Sequence, residues 1–360
     1  MNVAAVRVIP VRLRFAQPLR TARGEFTERA SVLLELRDAA GAVGYGEAAP
    51  WPGFGTESVE EVEASLRAAE HLLLGASLQP GKWPTALANL LAGRPAARAA
   101  VQGALLDLDA RRAGRTLSAH LAASAGSTCG EPLSRVPVNA LLTARDAGAL
   151  FREAVFAREA GYRAVKIKLG SDAVTSDVAR LRAVREGIGP SIRLRGDANG
   201  AWSVRDALAA LEAFAPFDLE YVEQPVAAPD IDGMAELRRQ AAVPVAADES
   251  VASESGMLRL LAAGAADVVV LKPASLGGAG RALELASLAR RAGMRVVFTH
   301  AFESAVGALH ALHCAAAWGD AEGVHGSATA GLFEADVAAP PGCHDGYVAV
   351  PVGPGLGVTL

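Results

Sequence analysis

From Val136 onward, short apolar runs alternate with amphipathic helices, and this alternation constrains the fold more than any other feature of the sequence. Eight strand-like runs follow one another, most of them separated by a helical segment: VPVNALL, AVKIKLG, IRLRGDANG, LEYVEQP, VPVAADES, DVVVLKP, RVVFTHAFES and GVHGS. Eight β/α units in a row predict a (β/α)8-type barrel. A doubly wound open sheet is the competing architecture, but no glycine-rich dinucleotide motif follows any of these strands.

The first 130 residues have a different pattern, with strands first and helices after. VRVIPVRLRF alternates apolar and polar residues, and ASVLLELRDAAGAVGYGEAAP predicts two strands joined near Gly41. Helices are predicted after Thr56, interpreted as an N-cap, and from about Ala97. We therefore expect an α/β protein in three parts. These are an α+β capping domain (1–130), a barrel with the catalytic site (131–330) and a C-terminal segment that returns to complete the capping domain (331–360).

Composition and charge exclude several functional classes. The formal net charge of -4 gives no electrostatic argument for binding nucleic acid or an anionic membrane. Arg7, Arg12 and Arg14 stand where a signal peptide would need an apolar run, and no stretch reaches the ~18 apolar residues of a membrane helix. We expect a cytoplasmic protein, and the sequence is compatible with a homo-oligomer.

Acidic residues follow three consecutive predicted barrel strands. Asp197, Glu223 and Asp248 end the third, fourth and fifth strands, each about one β/α unit after the previous one. Because neighbouring strands lie ~4.8 Å apart, their carboxylates can converge on one point at the catalytic face of a barrel. Clustered carboxylates repel unless a cation neutralises them, and oxygen ligands favour Mg²⁺, or Mn²⁺, over zinc. The sequence therefore predicts a divalent metal site.

Lysines are rare in this chain, and most of them stand beside these acids. Lysine supplies four of the 35 basic residues, yet Lys166 and Lys168 end the second strand and Lys272 ends the sixth. Arginine cannot give up its proton, whereas the pKa of lysine falls readily on burial or near another cation. Lys166 and Lys168 share one face of their strand, so we expect a lowered pKa for at least one of them. This pattern indicates acid–base chemistry.

The ordered motifs K-x-K, R-G-D-A-N, V-E-Q-P, D-E-S and L-K-P resemble the enolase superfamily, specifically its muconate lactonising subgroup. The resemblance covers nearly the whole chain. It implies that Asp197, Glu223 and Asp248 bind magnesium. It also implies that a small-molecule carboxylate loses a proton next to its carboxyl group, with the metal stabilising the resulting enediolate.

The resemblance also implies roles for the residues around the metal. Lys168 matches the acid–base lysine, Lys166 its assistant and Lys272 the lysine on the opposite face. Asn199 and Glu249 match positions that support the metal ligands.

Further motifs favour one branch of this family. GEAAPWPGF, THAFESAVG and VHGSATAGLF resemble segments of o-succinylbenzoate synthases. These enzymes dehydrate a succinyl-hydroxycyclohexadiene carboxylate in menaquinone biosynthesis. The candidate substrate-binding residues are Phe54, Phe302, Ser304, Gly326 and Ser327.

Three alternatives stay open at this point. An N-acylamino acid racemase or dipeptide epimerase would use Lys168 and Lys272 as bases on opposite faces. Dipeptide epimerases usually carry Asp-x-Asp at the eighth strand, which GVHGSATAG lacks. A muconate-type cycloisomerase is the second alternative, and a non-catalytic binding protein on a barrel scaffold is the third. His300 ends the seventh strand and His325 lies within the eighth, and structural roles are expected for both.

Overall fold

The computed structural model describes residues 2–21, 24–78, 82–125, 131–328 and 330–360. The strands in these ranges are β1 (Val3–Thr21), β2 (Gly24–Asp38), β3 (Val43–Ala48), β4 (Arg135–Pro137), β5 (Ala140–Leu142), β6 (Ala164–Lys168), β7 (Arg193–Asp197), β8 (Leu219–Glu223), β9 (Val245–Ala247), β10 (Val268–Leu271), β11 (Arg295–Phe298), β12 (Cys343–His344) and β13 (Tyr347–Ala349). The α-helices are α1 (Val59–Leu73), α2 (Thr85–Leu90), α3 (Pro95–Arg112), α4 (Leu117–Ala125), α5 (Ala147–Glu159), α6 (Val174–Ile188), α7 (Val204–Phe214), α8 (Ile231–Gln240), α9 (Glu254–Ala263), α10 (Ala279–Arg291) and α11 (Ala305–Trp318). No helix in the described ranges combines the length and apolarity needed to cross a membrane.

The N-terminal strands form the expected antiparallel capping sheet. The strand order is β1-β2-β3, and the turn between β2 and β3 contains Gly41 with a left-handed φ of 89°. Helices α1 and α3 pack on this sheet around a core that includes Val32, Leu66 and Leu105. The predicted N-cap of α1 is wrong, because Ser58 rather than Thr56 caps the helix. Ser58 forms a capping box with the third residue of the helix, which satisfies two backbone donors at once.

The second half of the chain forms the predicted barrel. Seven parallel strands lie in the order β11-β10-β9-β8-β7-β6-β5. The eighth run closes the ring through short bridges, because His325 pairs with Val138 beside β5 and Gly326 pairs with Thr299 beside β11. The helices between the strands lie outside, so the α/β class and the barrel architecture are both confirmed.

Alternation along each barrel strand determines which side chains reach the interior. On β10, Val269 and Leu271 pack into the main core with the surrounding helices. Val268 and Val270 point the other way and join a small apolar cluster with Tyr221 inside the barrel. The same period of two turns the functional residues of β6, β7 and β8 inward above this cluster. The interior therefore contains this apolar cluster, with the buried Arg195 guanidinium 5.0 Å from the Tyr221 ring, below the charged groups of the mouth.

The C-terminal segment contacts both parts of the chain. β13 pairs antiparallel with β4 at the start of the barrel. Further on, the Leu356 N–H donates to Asp107 Oδ1 at 2.7 Å, and Arg111 donates to the Val358 carbonyl at 2.6 Å. Asp107 and Arg111 belong to α3, so the tail joins the capping helices to the barrel.

Candidate active site

The carboxyl ends of β6 to β10 bring the predicted acids and lysines to one mouth of the barrel. Lys168 on β6 pairs with Asp197 on β7, which pairs in turn with Glu223 on β8. Asp248 immediately follows β9, and Lys272 immediately follows β10. The three acids are buried, with exposed fractions of 1%, 2% and 5% in chain order. Successive parallel strands therefore deliver the charged groups to a single region.

The two lysines of β6 contact different groups. Lys168 Nζ donates to Asp197 Oδ2 at 2.6 Å and to Asn199 Oδ1 at 2.7 Å. Lys166 Nζ lies 3.1 and 3.3 Å from the two Glu223 oxygens and 3.3 Å from Asp197 Oδ2. Lys166 thus bridges two acids. Lys168 is the more exposed of the pair and lines the cavity described below.

Lys272 occupies the other side of the mouth. Its ammonium group donates to Asp248 Oδ1 and lies 4.8 Å from the centre of the Phe54 ring. Phe54 belongs to the capping domain, so an aromatic face from one domain covers a lysine of the other. An ammonium over an aromatic face is attracted by the electrons of the ring. Both contacts therefore favour the charged form of Lys272.

Asn199 and Gln224 support the acids through backbone and side-chain hydrogen bonds. The backbone N–H of Asn199 donates to Asp197 Oδ1, and its side-chain amide donates to Glu249 Oε1, both at 3.1 Å. Gln224 Oε1 accepts the backbone N–H of Asp248 at 3.1 Å. Both amide residues have left-handed backbones, with φ of 46° for Asn199 and 42° for Gln224. Such conformations cost ~1–3 kcal/mol in non-glycine residues and cluster at functional sites.

Gln224 was not among the predicted site residues. Its signal was present in the V-E-Q-P motif, where an amide directly follows a predicted ligand. What the sequence did not indicate is the partner, because Gln224 reaches across to the backbone of the next strand. The side chain also donates to the hydroxyl of Ser250 at 2.8 Å. Gln224 therefore fixes the position of the loop that carries Asp248.

Burial and mutual repulsion shift the titration of these groups. Burial raises the pKa of Glu223 to about 7, and the Asp197 carboxylate adds to the shift. Burial also acts to raise the pKa of Asp197, but the ammonium groups of Lys168 and Lys166 outweigh it and hold that pKa below its usual range. Burial lowers the pKa of Lys166, yet Glu223 and Asp197 together raise it above its ordinary value. The lowering expected for at least one lysine of the pair is therefore not found at Lys166, which carboxylates surround.

The chemistry of this donor set suits a hard divalent cation. Three buried carboxylates offer oxygen ligands and an excess of negative charge, which is what Mg²⁺ requires. Among the described residues, no three His, Cys, Asp or Glu side chains lie close enough together to hold a metal ion. The ammonium groups of Lys166, Lys168 and Lys272 contact these carboxylates. The residues fit magnesium by type, charge and burial.

These groups line a cavity of about 910 Å³, a volume that includes its open mouth. Of the predicted substrate-binding residues, Phe54, Phe302 and Gly326 line the cavity. Trp51 also lines it and was missed, although it stands in the same W-P-G-F motif as Phe54. The ring centres of Trp51 and Phe302 are 6.1 Å apart. Aromatic side chains from both domains therefore wall the cavity above the charged groups.

The other two predicted substrate-binding residues do not line this cavity. Ser304 is buried as the N-cap of α11, and its hydroxyl donates to Glu47 Oε2 at 2.6 Å. Ser327 follows the cavity residue Gly326, and its buried hydroxyl has no hydrogen-bond partner among the described residues. The structure thus brings together the metal-ligand candidates and the lysines, together with three of the five predicted contact residues.

The two histidines near the cavity have different surroundings. His300 lines the cavity, and its Nδ1 lies 3.1 Å from the buried Glu303 carboxylate. His325 is fully buried, and its Nδ1 accepts the Phe298 N–H at 3.0 Å. Burial, and after it the Arg195 guanidinium, lower the pKa of His325 to about 4. His325 is therefore a neutral structural residue at neutral pH.

Comparison with known proteins agrees with the motif resemblance. Residues 149–360 match the family model described as enolase C-terminal domain-like. Residues 3–121 match the N-terminal domain of the mandelate racemase / muconate lactonizing enzyme family.

Curated relatives with similar sequences are named o-succinylbenzoate synthase. The Mycobacterium tuberculosis relative is 42% identical over 219 residues, which span 60% of this chain and 64% of the relative. The Mycolicibacterium smegmatis relative is 39% identical over 251 residues, or 69% of this chain and 75% of the relative. The chain thus aligns with somewhat less than two thirds of the first relative and three quarters of the second.

Solved structures match almost the whole chain but have other names. The N-succinyl Arg/Lys racemase from Bacillus cereus superposes with a TM-score of 0.89 at 26% identity, covering 100% of this chain and 96% of the racemase. The dipeptide epimerase from Enterococcus faecalis, complexed with Mg and L-Leu-L-Tyr, has a TM-score of 0.88 at 26% identity and full coverage of both chains.

Proposed function

Because this chain belongs to the enolase superfamily, within the mandelate racemase / muconate lactonizing enzyme group, we propose that it is a metal-dependent acid–base enzyme. We propose that it is an o-succinylbenzoate synthase. It would dehydrate 2-succinyl-6-hydroxy-2,4-cyclohexadiene-1-carboxylate in menaquinone biosynthesis. The names of the mycobacterial relatives support this reaction.

One observation carries the proposal. A lysine stands on each side of a single cavity, and three buried carboxylates lie at the same barrel mouth. Abstraction of a proton next to a carboxylate needs a positioned base and a preorganised sink for negative charge. Lys168 would supply the base, and the acid cluster would supply the sink once it binds a cation. A simple binding protein would need neither buried lysines nor clustered acids.

Asp197, Glu223 and Asp248 would hold Mg²⁺, for which Mn²⁺ could substitute. When bound, the metal would stabilise the negative charge that develops on the substrate carboxylate as the neighbouring carbon loses its proton. Asn199 and Gln224 position two of these acids through the hydrogen bonds described above. The amides therefore limit how far the ligands can move before substrate arrives.

Lys168 would perform both proton transfers. Its neutral amine takes the proton from the carbon next to the carboxylate. The bond from the adjacent ring carbon to the hydroxyl group then breaks, and Lys168 donates the proton to that oxygen, which leaves as water. The ring gains the double bond that makes it aromatic, and Lys168 ends neutral as it began. The Asn199 amide oxygen, 2.7 Å from Nζ, orients the amine between the two steps.

Lys272 would remain cationic on the opposite side. Burial lowers its pKa, but the nearby carboxylates, led by Asp248, raise it above the ordinary value. The Phe54 ring adds to the preference for charge and covers the ammonium group. A cation in this place attracts the electron-rich substrate without exchanging protons. This difference between the lysines favours dehydration over racemisation.

Racemisation of N-acylamino acids is the second candidate function. The structural match to an N-succinyl Arg/Lys racemase favours it, as does the presence of lysines on both sides of the cavity. Racemisation needs a base on each face, so Lys272 would have to release its proton and leave its contact with Asp248. The same site can in principle serve both reactions.

The test is a direct comparison of substrates. The purified protein, supplied with Mg²⁺, is assayed with the cyclohexadiene carboxylate and with N-succinyl amino acids, and loss of activity in EDTA is the control. We expect kcat/KM for dehydration to exceed that for any N-succinyl amino acid by about 100-fold or more. A higher kcat/KM for the amino acids would replace the synthase with the racemase.

A further inference from the structure

Glu47 is a buried carboxylate outside the reaction machinery. It lies on β3 of the capping sheet and is 3% exposed. Its oxygens accept the Ser304 N–H at 3.1 Å, the Ser304 hydroxyl at 2.6 Å and the Gly307 N–H at 2.8 Å. All three donors belong to the N-terminal end of α11 in the barrel. A carboxylate is favourable at this position because the N-terminal end of a helix carries a partial positive charge.

The barrel helix is shaped to receive this carboxylate. A Cβ atom at Gly307 would lie 2.9 Å from Glu47 Oε2 and closer still to the side chain of Glu303, so glycine leaves the space that Glu47 needs. One turn further along α11, His310 Nε2 lies 3.0 Å from the Tyr45 carbonyl of the same strand. β3 therefore follows the first turns of α11 and contacts them at two points.

Both walls of the cavity begin at this junction. On the barrel side, residues 299–302 line the cavity and are separated from Ser304 by Glu303 alone. On the capping side, Trp51 lies four residues after Glu47 and Phe54 lies three residues after Trp51, and both line the cavity. The hydrogen bonds of Glu47 thus join the start of one wall to the start of the other. They lie away from the lysines and the acids.

Arg29 holds the backbone of the capping wall and lies within the electrostatic influence of Glu303 and Glu47. Its guanidinium donates to the carbonyls of Ala49 at 2.8 Å and Pro50 at 2.7 Å, and it lies 4.8 Å from the centre of the Trp51 ring. Burial lowers the pKa of Arg29, while the negative charges of Glu303 and Glu47 act to raise it. Glu47 therefore supplies part of the negative charge that balances Arg29. Arg29 in turn contacts the ring of Trp51 and helps to hold its position.

We propose that Glu47 is a positioning residue that sets the separation between the Trp51–Phe54 wall and the 299–302 wall, and so selects the size of the substrate's non-reacting group. The link to substrate selection rests on the proposed function. The mechanical part does not, because it concerns how two segments are held together. Replacing the Glu47 carboxyl group by an amide should loosen both walls while the acids and lysines stay in place.

The first experiment measures hydrogen exchange of backbone amides in the full-length protein. In Glu47→Gln, the amide replaces a charged acceptor at the Ser304 hydroxyl and the Gly307 N–H, so we expect exchange across residues 299–307 to rise by about tenfold. Exchange at the ends of β7 and β8 should not change. Faster exchange everywhere, or no change across 299–307, would overturn the inference.

Glu57→Gln is the matched control. Glu57 is also a buried glutamate at the N-terminal end of a helix, and it accepts the N–H groups of Ala96 at 3.0 Å and Ala97 at 3.1 Å. Both ends of that contact lie in the N-terminal part of the chain. Glu57→Gln should therefore raise exchange at the start of α3 and leave residues 299–307 unchanged. Ser304→Ala removes one of the three bonds to Glu47 without changing charge, and serves if Glu47→Gln does not fold.

The kinetic experiment tests whether the walls held by Glu47 contribute to substrate binding. We expect KM for the cyclohexadiene carboxylate to rise about tenfold in Glu47→Gln and about threefold in Ser304→Ala, with kcat within about threefold of wild type. Glu57→Gln should leave both constants unchanged. A fall in kcat without a change in KM would overturn the inference. If the wild-type protein does not act on this substrate, the proposed function fails, and the exchange experiment still decides whether Glu47 holds the walls.

Discussion

Lys168 and Lys272 stand on opposite sides of one cavity, but their surroundings differ. The Lys168 side chain is 36% exposed and bonds a carboxylate and a neutral amide oxygen. The Lys272 side chain is 10% exposed and is confined between a carboxylate and an aromatic ring. A lysine that transfers protons needs access to substrate and freedom to change charge. A lysine that only supplies charge needs neither.

The difference between these two lysines explains how one scaffold can support two kinds of chemistry. In one, a single lysine acts as the base, and in the other both lysines do. Lys168 and Lys166 project from a single strand, whereas Lys272 enters four strands away and is covered by the capping domain. Our proposal that Lys272 keeps its proton therefore involves Phe54, a residue outside the barrel, as well as Asp248. If Lys168 transfers protons and Lys272 only supplies charge, changes around the two lysines should have unequal effects, of which the largest is expected at Lys168.

Lys168→Arg should reduce turnover by about 1,000-fold or more. Arginine keeps the positive charge but cannot accept a proton from substrate, so a general base worth ~10²–10⁴ in rate is lost along with its orientation. The measurement is kcat at saturating substrate, with the circular dichroism spectrum and Mg²⁺ affinity as controls for an intact site. Substantial turnover in this variant would show that Lys168 is not the base.

Lowering the pH should destabilise the folded protein at the eighth run, which closes the ring between the side that carries Lys168 and the side that carries Lys272. His325 pairs with residue 138 on the side of Lys168, and its neighbour Gly326 pairs with Thr299 on the side of Lys272. Its pKa is about 4 when folded and 6.5 in the ordinary state, so the unfolded chain binds a proton that the folded chain does not between these values. Stability is therefore full above pH ~6.5 and falls as pH drops towards 4, by about 3 kcal/mol for this group.

Denaturant unfolding across pH 4–7 measures this loss. In His325→Asn the amide oxygen can still accept the Phe298 N–H, while the titrating group is gone. The free energy of unfolding should fall less steeply with acid in this variant than in the wild type. Between pH 4.5 and 6 the two slopes should differ by about 1.4 kcal/mol per pH unit. An unchanged slope would mean that His325 does not couple acid to the closure of the barrel.

The sequence predicted the barrel and the charged groups well, because both depend on local patterns. Apolar runs of β-branched residues at regular spacing fix the strands, and period-two alternation places Lys166, Lys168 and Asp197 on the inner face. Closure of the ring was also foreseeable from the eighth run. Contacts that cross between strands or domains were not, as Gln224 shows by bonding the backbone of the next strand.

Predictions also failed where tertiary contacts overrule local chemistry. Thr56 has the character of an N-cap, but its hydroxyl accepts the Trp51 N–H at 2.6 Å, and Ser58 caps the helix instead. The paired lysines indicated a lowered pKa, yet the folded arrangement surrounds Lys166 with acids that raise it. Spacing along the chain reports which residues share a face, but not the balance of charges across that face.

Lys272→Arg should cost far less than Lys168→Arg in the dehydration reaction. Arginine preserves the cation, so we expect kcat/KM to fall about tenfold through altered packing against Phe54 and Asp248. Measuring kcat/KM for both arginine variants in the same assay compares the contributions of the two lysines directly. Equal losses would show that Lys272 also transfers a proton, and would favour the racemase.

Phe54→Leu should have the smallest effect and test why Lys272 stays charged. Leucine fills similar space but has no aromatic face, so the variant loses a contact worth ~1 kcal/mol, and kcat/KM for dehydration should fall about fivefold. Phe54→Tyr keeps the ring over the ammonium group and should remain within about twofold of wild type. If racemisation of N-succinyl amino acids rises in the leucine variant but not in the tyrosine variant, the capping domain controls whether Lys272 acts as a base. If the two variants behave alike in both assays, the ring does not set the charge of Lys272, and the inequality must come from Asp248 alone.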